Sequence, residues 1–310
     1  MIALVGATAT GKSDLALRIA AAVPGSAQII NADASQLYAG MNIGTAKLPP
    51  EQRQGVPHHQ LDVLGLLDTS TVADYQTAAR KDLAAIRAAG DWPIVVGGSG
   101  LYVRALLDRL EIPPTDADVR AKWEAELEAH GPAELFAQLQ DADPAAAGAM
   151  DPRNGRRIVR ALEVIEITGK PFSATMPQRE FMEPTLLIGL SAPRPVLHAR
   201  IRARVEQMWG QGLLAEVARL EQHGLRKGKT SSRALGYAQA LAQLDGEMTE
   251  EEAQEATVFA TQRFARRQDA WFGADPRIQW LPHEAEDLFE QAIALVAQFA
   301  SEVGVEGLQR

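Results

Sequence analysis

Apolar residues along this chain follow two alternating rhythms: short β-branched runs, and longer stretches with a 3.6-residue period. Five runs, at residues 2–5, 27–30, 93–96, 186–190 and 277–281, read as strands buried on both faces of a parallel sheet. Helical spacing separates several of them. Leu15, Ile19 and Ala22 continue one such pattern until Pro24 and Gly25 stop it; Val72, Tyr75, Ala79, Leu83 and Ile86 share a face before Gly90. Leu197, Ile201, Val205 and Met208 do the same later, and Thr249 with Glu252 forms a capping box opening a helix that runs to about Phe272. This alternation implies an α/β fold, a doubly wound parallel sheet with ligands at the carboxyl ends of its strands.

The alternation breaks between the third and fourth strands. Residues 116–129, 132–141 and 156–167 carry helical patterns, the last ending at Thr168-Gly169-Lys170-Pro171, with no convincing strand among them. The expected organisation is therefore an α/β core of residues 1–112 plus 185–310, interrupted by a helical insertion at 113–184. No apolar run approaches the ~20 residues of a membrane helix. The first strand begins at Met1 or Ile2, so no leader segment is expected, and the expected location is the cytoplasm.

Candidate chemistry begins at the first strand. It runs into Gly6, Ala7, Thr8, Ala9, Thr10, Gly11, Lys12 and Ser13, a complete G-x-x-x-x-G-K-[ST] phosphate loop between a strand and a helix. Its glycines let successive N–H groups face inward at the positive end of a helix. Lys12 adds a point charge, and the Ser13 hydroxyl is placed to ligate Mg²⁺. The core is thus expected to be P-loop NTPase-like. The loop specifies phosphate or pyrophosphate, and leaves its owner open.

Asp33 ends the second strand at the same rim. It could ligate Mg²⁺, act as general base on a nucleophile, or simply cap the next helix. The third strand ends in Gly97, Gly98, Ser99 and Gly100, where many NTPases carry an acid. Such an end offers N–H groups and a hydroxyl to an anion, or is only a tight turn. His58 and His59 are adjacent, so their rings point apart; a turn role is expected of them rather than a metal site.

Composition is that of a globular protein, 46% hydrophobic and 23% charged, and the absence of cysteine excludes disulfides and thiolate chemistry. A net charge of −9 argues against a generally basic nucleic-acid binder. The charge is uneven, however. Residues 153–160 hold four arginines and no acid, residues 226–233 hold four cations and no acid, and Arg263, Arg266 and Arg267 form a third cluster. Such runs are usually solvated faces or intrahelical ion pairs, but Arg153, Arg156 and Arg160 have no acid at i±4, so an anion-binding face is expected there at least as readily.

The chain from Met1 to about Phe272 resembles the tRNA dimethylallyltransferase family, the bacterial tRNA isopentenyltransferases. The resemblance is carried by the phosphate loop, residues 33–38 and 40–47, Pro57-His58-His59, Ala73-Asp74-Tyr75 and residues 96–102. It continues through Arg157-Ile158-Val159-Arg160-Ala161-Leu162-Glu163, residues 233–237, and Arg266-Arg267-Gln268 with Trp271-Phe272. It implies transfer of a dimethylallyl group from dimethylallyl pyrophosphate to N6 of the adenosine 3′ of the anticodon, in tRNAs reading codons that begin with U. On that resemblance the loop holds the leaving pyrophosphate with Mg²⁺ at Ser13. Asp33 takes the amine proton, and Ser99 and Arg233 contact substrate near the reacting atoms. The tRNA would meet Asp33, Ala34, Ser35, Gln36 and Ser99 at the strand ends. On the insertion it would meet Arg120 and the run Arg156, Arg157, Ile158, Val159 and Arg160. Farther on it would meet Arg233, Ala234, Leu235, Gly236, Tyr237 and Ala238, then Arg263 and Arg267. The insertion would grip the anticodon stem-loop. Nothing in the sequence demands more than a monomer.

The chain departs from the family pattern in places. Ala7 stands for a usual Pro, and Ala34 removes a hydroxyl beside Asp33. Gln262-Arg263 reverses a usual order, and Ala270 and Gly273 replace a Thr and an Arg. Three other readings compete. A small-molecule kinase explains the loop and Asp33 but gives the Gly97–Ser99 end and the arginine face no job. A prenyltransferase using free adenine nucleotides leaves the insertion idle. A non-catalytic tRNA-binding protein wastes the loop and Asp33.

Overall fold

The computed structural model describes residues 1–175 and 179–304. β1 (Ile2–Gly6) leads into α1 (Lys12–Ala22) and β2 (Ala27–Asn31); an edge strand β3 (His58–His59) precedes α2 (Val72–Ala88), β4 (Trp92–Val96) and α3 (Gly100–Leu107). Three helices follow: α4 (Ala117–Ala142), α5 (Pro144–Gly148) and α6 (Gly155–Thr168). The α/β alternation resumes with β5 (Leu186–Ser191), α7 (Arg194–Gly210), α8 (Leu213–Gln222), α9 (Tyr237–Leu244), α10 (Glu250–Gly273), β6 (Gln279–Pro282) and α11 (Leu288–Glu302).

The strands form one six-stranded, all-parallel sheet in the order β3-β2-β4-β1-β5-β6. The sixth strand starts later than the expected residue 277. Arg277 N–H donates to Asp275 Oδ1 at 3.1 Å, which keeps the preceding residues in a turn. β3 was not expected at all. Its two residues pair with Ile29 and Ile30, too short a run to show any alternation.

The chain divides into two compact units, residues 1–107 with 181–310, and residues 108–180. In the first, Ile2, Leu4, Ile19, Ile94, Ile188 and Val296 bury one face of the sheet under α1 and α11. A second cluster includes Leu197, Ile201, Val205 and Met208, the face expected of α7, with Tyr38, Val217 and Tyr237. Thr249 caps α10 as its sequence predicts: its Oγ1 accepts from Glu252 N–H, and the Glu252 carboxylate accepts from Thr249 N–H. The second unit is helical among its described residues and has its own core of Leu135, Leu139, Ile158 and Leu162. Its longest helix breaks at Gly131 (φ 78°, ψ 171°) ahead of Pro132, between the two helical stretches read from the sequence.

Candidate active site

The phosphate loop leaves β1 at Gly6 and re-enters helix at Lys12. Ala9 (φ 65°) and Gly11 (φ 91°) take left-handed conformations that curl the backbone between them. Gly11 is the N-cap of α1 and has no side chain to occupy the first-turn N–H groups, which are therefore available to an anion. Thr10 Oγ1 donates to Ala7 O at 2.9 Å and closes the loop. Lys12 Nζ also donates to Ala7 O, at 2.6 Å. Burial pulls the Lys12 ammonium down to about 8, with Arg204 pushing the same way and Asp33 and Asp269 opposing. A lysine so placed is short of anionic partners, which a bound diphosphate supplies. Ser13 sits beside it, exposed at the mouth.

A cavity of about 190 Å³ opens over the loop, lined also by Asn31, Asp33, Gln36, His58, Gly97, Gly98 and Arg204. Buried Asn31 fixes the turn carrying Asp33. Its Nδ2 donates to Asp33 O (3.1 Å) and Gln60 O (2.9 Å), and its Oδ1 accepts from Asp33 N–H (3.1 Å). Tyr75 OH donates to Asn31 O at 2.8 Å from below. Asp33 Oδ1 accepts from the backbone N–H (3.0 Å) and hydroxyl (2.7 Å) of Ser35. Asp33 thus caps the short 3₁₀ turn Ala34–Leu37 and also lines the cavity, so both readings of it hold. Its Oδ2 accepts nothing from the described residues. Residue 34 is Ala, and the hydroxyl that meets Asp33 in this turn is that of Ser35. Ser99 joins the same turn: its Oγ accepts from Ala34 N–H at 3.1 Å, and its N–H donates to Ala32 O at 3.2 Å.

The glycines at the end of β4 serve close packing and the cavity together. A Cβ on Gly97 would lie 2.2 Å from Ala32 O, and one on Gly98 would lie 2.2 Å from Gln268 Nε2. That glutamine, buried on α10, donates to Gly98 O (2.8 Å) and accepts from Thr8 N–H (2.9 Å), so one amide holds both the phosphate loop and the β4 end. Periodicity does not mark it as anything but a core position.

The missed cations are on α7. Arg200 Nε donates to Ala9 O at 2.7 Å, and Arg204 NH1 donates to Thr8 Oγ1 at 3.3 Å. They lie four apart opposite the apolar face of α7 and read as solvent-facing. The available signal was their place on the first helix after β5, at the rim where the loop sits. Arg233, expected to contact substrate near the reacting atoms, is an exposed side chain in the 3₁₀ turn Ser231–Arg233 and does not line this cavity. His58 and His59 sit in β3, with His58 Nδ1 2.8 Å from Val56 O and His59 Nε2 2.7 Å from Gln28 Oε1.

Burial corrects several expected RNA contacts. Tyr237 is buried and donates its hydroxyl to Glu216 Oε1 at 2.6 Å, so its side chain has no free surface for RNA. Glu216, itself buried, also accepts from the N–H groups of Asn42 (3.2 Å) and Ile43 (3.1 Å). Ile158 and Val159 are buried in the helical unit's core. The anion-binding face expected over residues 153–160 is only partly free. Arg153 precedes α6 and pairs with Asp151 at 3.1 Å. Arg160 pairs at 2.9 Å with Glu163, an i+3 acid, and donates to Pro113 O (2.7 Å) and Pro114 O (2.9 Å). Arg120 donates to the same fully buried carboxylate, Nε at 2.9 Å, and so does Thr115 Oγ1 at 2.5 Å. Burial alone would raise the Glu163 pKa, but Thr115, Arg120, Arg160 and Asp116 N–H together hold it near 2. Arg156 and Arg157 remain exposed, with no side-chain partner among the described residues.

Residues 36–275 match the IPP transferase family. The chain is 58% identical over 301 residues to the tRNA dimethylallyltransferase of Thermobifida fusca, covering 96% of this chain and 94% of that one. It is 56% identical to the Streptomyces coelicolor tRNA dimethylallyltransferase, covering 94% and 92%. The fold is similar to the crystal structure of the Bacillus halodurans tRNA isopentenylpyrophosphate transferase, with TM-score 0.72, 34% identity, and coverage of 98% of this chain and 97% of that one.

Proposed function

Because the chain belongs to the IPP transferase family, we propose that it transfers the dimethylallyl group of dimethylallyl pyrophosphate to N6 of an adenosine in tRNA. The acceptor is the adenosine 3′-adjacent to the anticodon in tRNAs reading codons that begin with U. One observation carries the reading at the level of chemistry. A phosphate loop short of anions and a carboxylate with an unoccupied oxygen face the same 190 Å³ cavity.

The exocyclic amine of adenine is a weak nucleophile, so departure of the pyrophosphate must be made easy. The N–H groups of the loop, Lys12 and Arg204 converge where charge develops as the allylic C–O bond breaks. N6 forms its bond to the same carbon, and Asp33 Oδ2 takes the N6 proton while Ser35 and Asn31 hold the carboxylate still. Pyrophosphate leaves with both electrons of the broken bond. Mg²⁺ would suit the Ser13 hydroxyl on the cavity lining, since Mg²⁺ usually binds phosphate oxygens and water with few protein ligands. Ser13 would hold it, and it would supply charge neutralisation to the leaving group. The base must be turned out of its stack to reach the rim of a buried sheet, costing about a few kcal/mol. A loop base meets that cost more readily than a duplex base. Arg156 and Arg157 of the helical unit take phosphates of the anticodon stem-loop, and Arg233 takes RNA outside the cavity.

The test uses labelled dimethylallyl pyrophosphate, Mg²⁺ and tRNA. Label enters tRNA only when the adenosine beside the anticodon is present; phosphorylation of a small acceptor from ATP with no prenyl transfer would overturn the reading. Asp33→Ala is expected to slow transfer by about 10²–10⁴-fold, the range of general-base catalysis, while RNA affinity changes little. A large loss of RNA affinity would instead make Asp33 a structural contact.

A further inference from the structure

Ala9 is the one non-glycine residue of the phosphate loop with a positive φ, 65°. An alanine is disfavoured there because its Cβ crowds the following carbonyl oxygen, and it has no polar side chain to compensate. Such a conformation persists only where the surroundings over-determine it. Within the loop, Thr10 Oγ1 and Lys12 Nζ both donate to Ala7 O, and Thr8 N–H donates to Gln268 Oε1. None of these bonds holds residue 9. Helix α7 does so. Arg200 Nε donates to Ala9 O at 2.7 Å across 191 positions of sequence, and the buried Ala9 shares an apolar cluster with Leu197 and Ile201. Residues 197, 200 and 201 are neighbours on one side of a helix, so α7 meets the strained residue with apolar side chains and a cation together.

The partner of Arg200 is a carbonyl and not a carboxylate. Among the described residues it makes no ion pair and no second hydrogen bond, and the charged neighbours it faces are Arg204 and His283. Arg204 lines the cavity over the loop and Arg200 does not, so the two cations reach a bound anion by different routes. The route for Arg200 is the backbone. A trans peptide is planar with its N–H opposite its C=O, so a donor that fixes Ala9 O also turns the Thr10 N–H away from Arg200. On either side, the N–H groups of Ala9 and Gly11 meet no acceptor among the described residues. We propose that Arg200 is a positioning residue for the diphosphate: by holding the Ala9 carbonyl it keeps Ala9 left-handed, and so sets the direction of the loop N–H groups before the anion arrives. Donors aimed in advance need no reorganisation when charge develops on the leaving group. The role rests on the reading of the loop as a pyrophosphate site.

The test is a double-mutant cycle read by binding of inorganic pyrophosphate, with Mg²⁺, to the full chain in isothermal titration. Arg200→Ala is expected to weaken binding about tenfold, the penalty of one left-handed alanine converted at about 1.4 kcal/mol per tenfold. Glycine takes the same φ without that penalty, so in an Ala9→Gly background the loss should shrink to about twofold or less. In transfer assays Arg200→Ala should raise the KM for dimethylallyl pyrophosphate about tenfold and leave the KM for tRNA unchanged. A partly unfolded preparation would instead lower the apparent kcat with both KM values intact. Arg200 is exposed, and an unchanged unfolding midpoint checks that the variant remains folded. Pyrophosphate affinity or donor KM within about twofold of wild type in Arg200→Ala would overturn the proposal. So would a loss of the same size in both backgrounds, since Arg200 would then act on the anion as a charge and not through Ala9. Wild-type protein whose pyrophosphate binding follows the cycle but which transfers no dimethylallyl group would defeat the proposed function and leave the positioning role standing.

Discussion

At the scale of the residue, the site is a contest between charges and burial. Lys12 is a partly buried cation on the cavity lining, and burial brings it to about 8 from the 10.5 of a free lysine. A diphosphate placed against it favours the charged form, so binding takes up a proton once the free protein has lost it. The affinity for inorganic pyrophosphate is therefore expected to be flat below about pH 8 and to fall by roughly tenfold per pH unit above it. Lys12→Met should abolish that step; isothermal titration at several pH values checks both, and a step surviving in the variant would move it to another group. Asp33 was legible from its place at a strand end, but its hydrogen-bond state was not. Ser35 fixing Oδ1 and Asn31 fixing the turn depend on side-chain directions that spacing does not reveal.

Single elements show how one helix divides its labour. On α6 the sequence offers a row of arginines, and the structure sorts them into two kinds. Arg160 is a strut between Glu163 and the Pro113–Pro114 carbonyls, whereas Arg156 and Arg157 face solvent. The acid that spoils the uniform reading is three residues on, not four. Arg156→Ala with Arg157→Ala is expected to flatten the salt dependence of RNA binding without moving the melting temperature. Glu163→Ala is expected to do the reverse, lowering stability by about 3 kcal/mol because two guanidinium groups lose a buried partner. Calorimetry and salt-series binding on the two variants separate the cases; an equal effect of both on melting would contradict the division. Since the carboxyl of Glu163 is held near 2 against 4.5 when free, its contribution is complete above about pH 4.5 and is lost as the pH falls towards 2. Helix α10 is a second case. Its start and length follow from the Thr249 capping box, but nothing in its periodicity distinguishes Gln268, which joins two loops, from a core filler.

At the scale of the whole molecule, two units with separate apolar cores share one chain. Thermal unfolding is expected to show two transitions, and pyrophosphate at about 100 times its dissociation constant should stabilise the one belonging to the loop-bearing unit by about 2.7 kcal/mol. A ligand shift of both transitions together would show the units to be one cooperative body. The sequence by itself determined the strand–helix alternation, the phosphate loop, the interruption by helices and the candidacy of Asp33. Each of these rests on local spacing: a short unbroken apolar run or a 3.6-residue period, a glycine where the backbone must curl, a polar residue where a strand stops. Only the tertiary structure decided which cation faces the loop, choosing Arg204 over Arg233, and which arginines remain free. Those choices depend on what lies across a gap from a side chain, and residues such as Gln268 and Thr8, 260 positions apart, meet only when the sheet has brought their elements together.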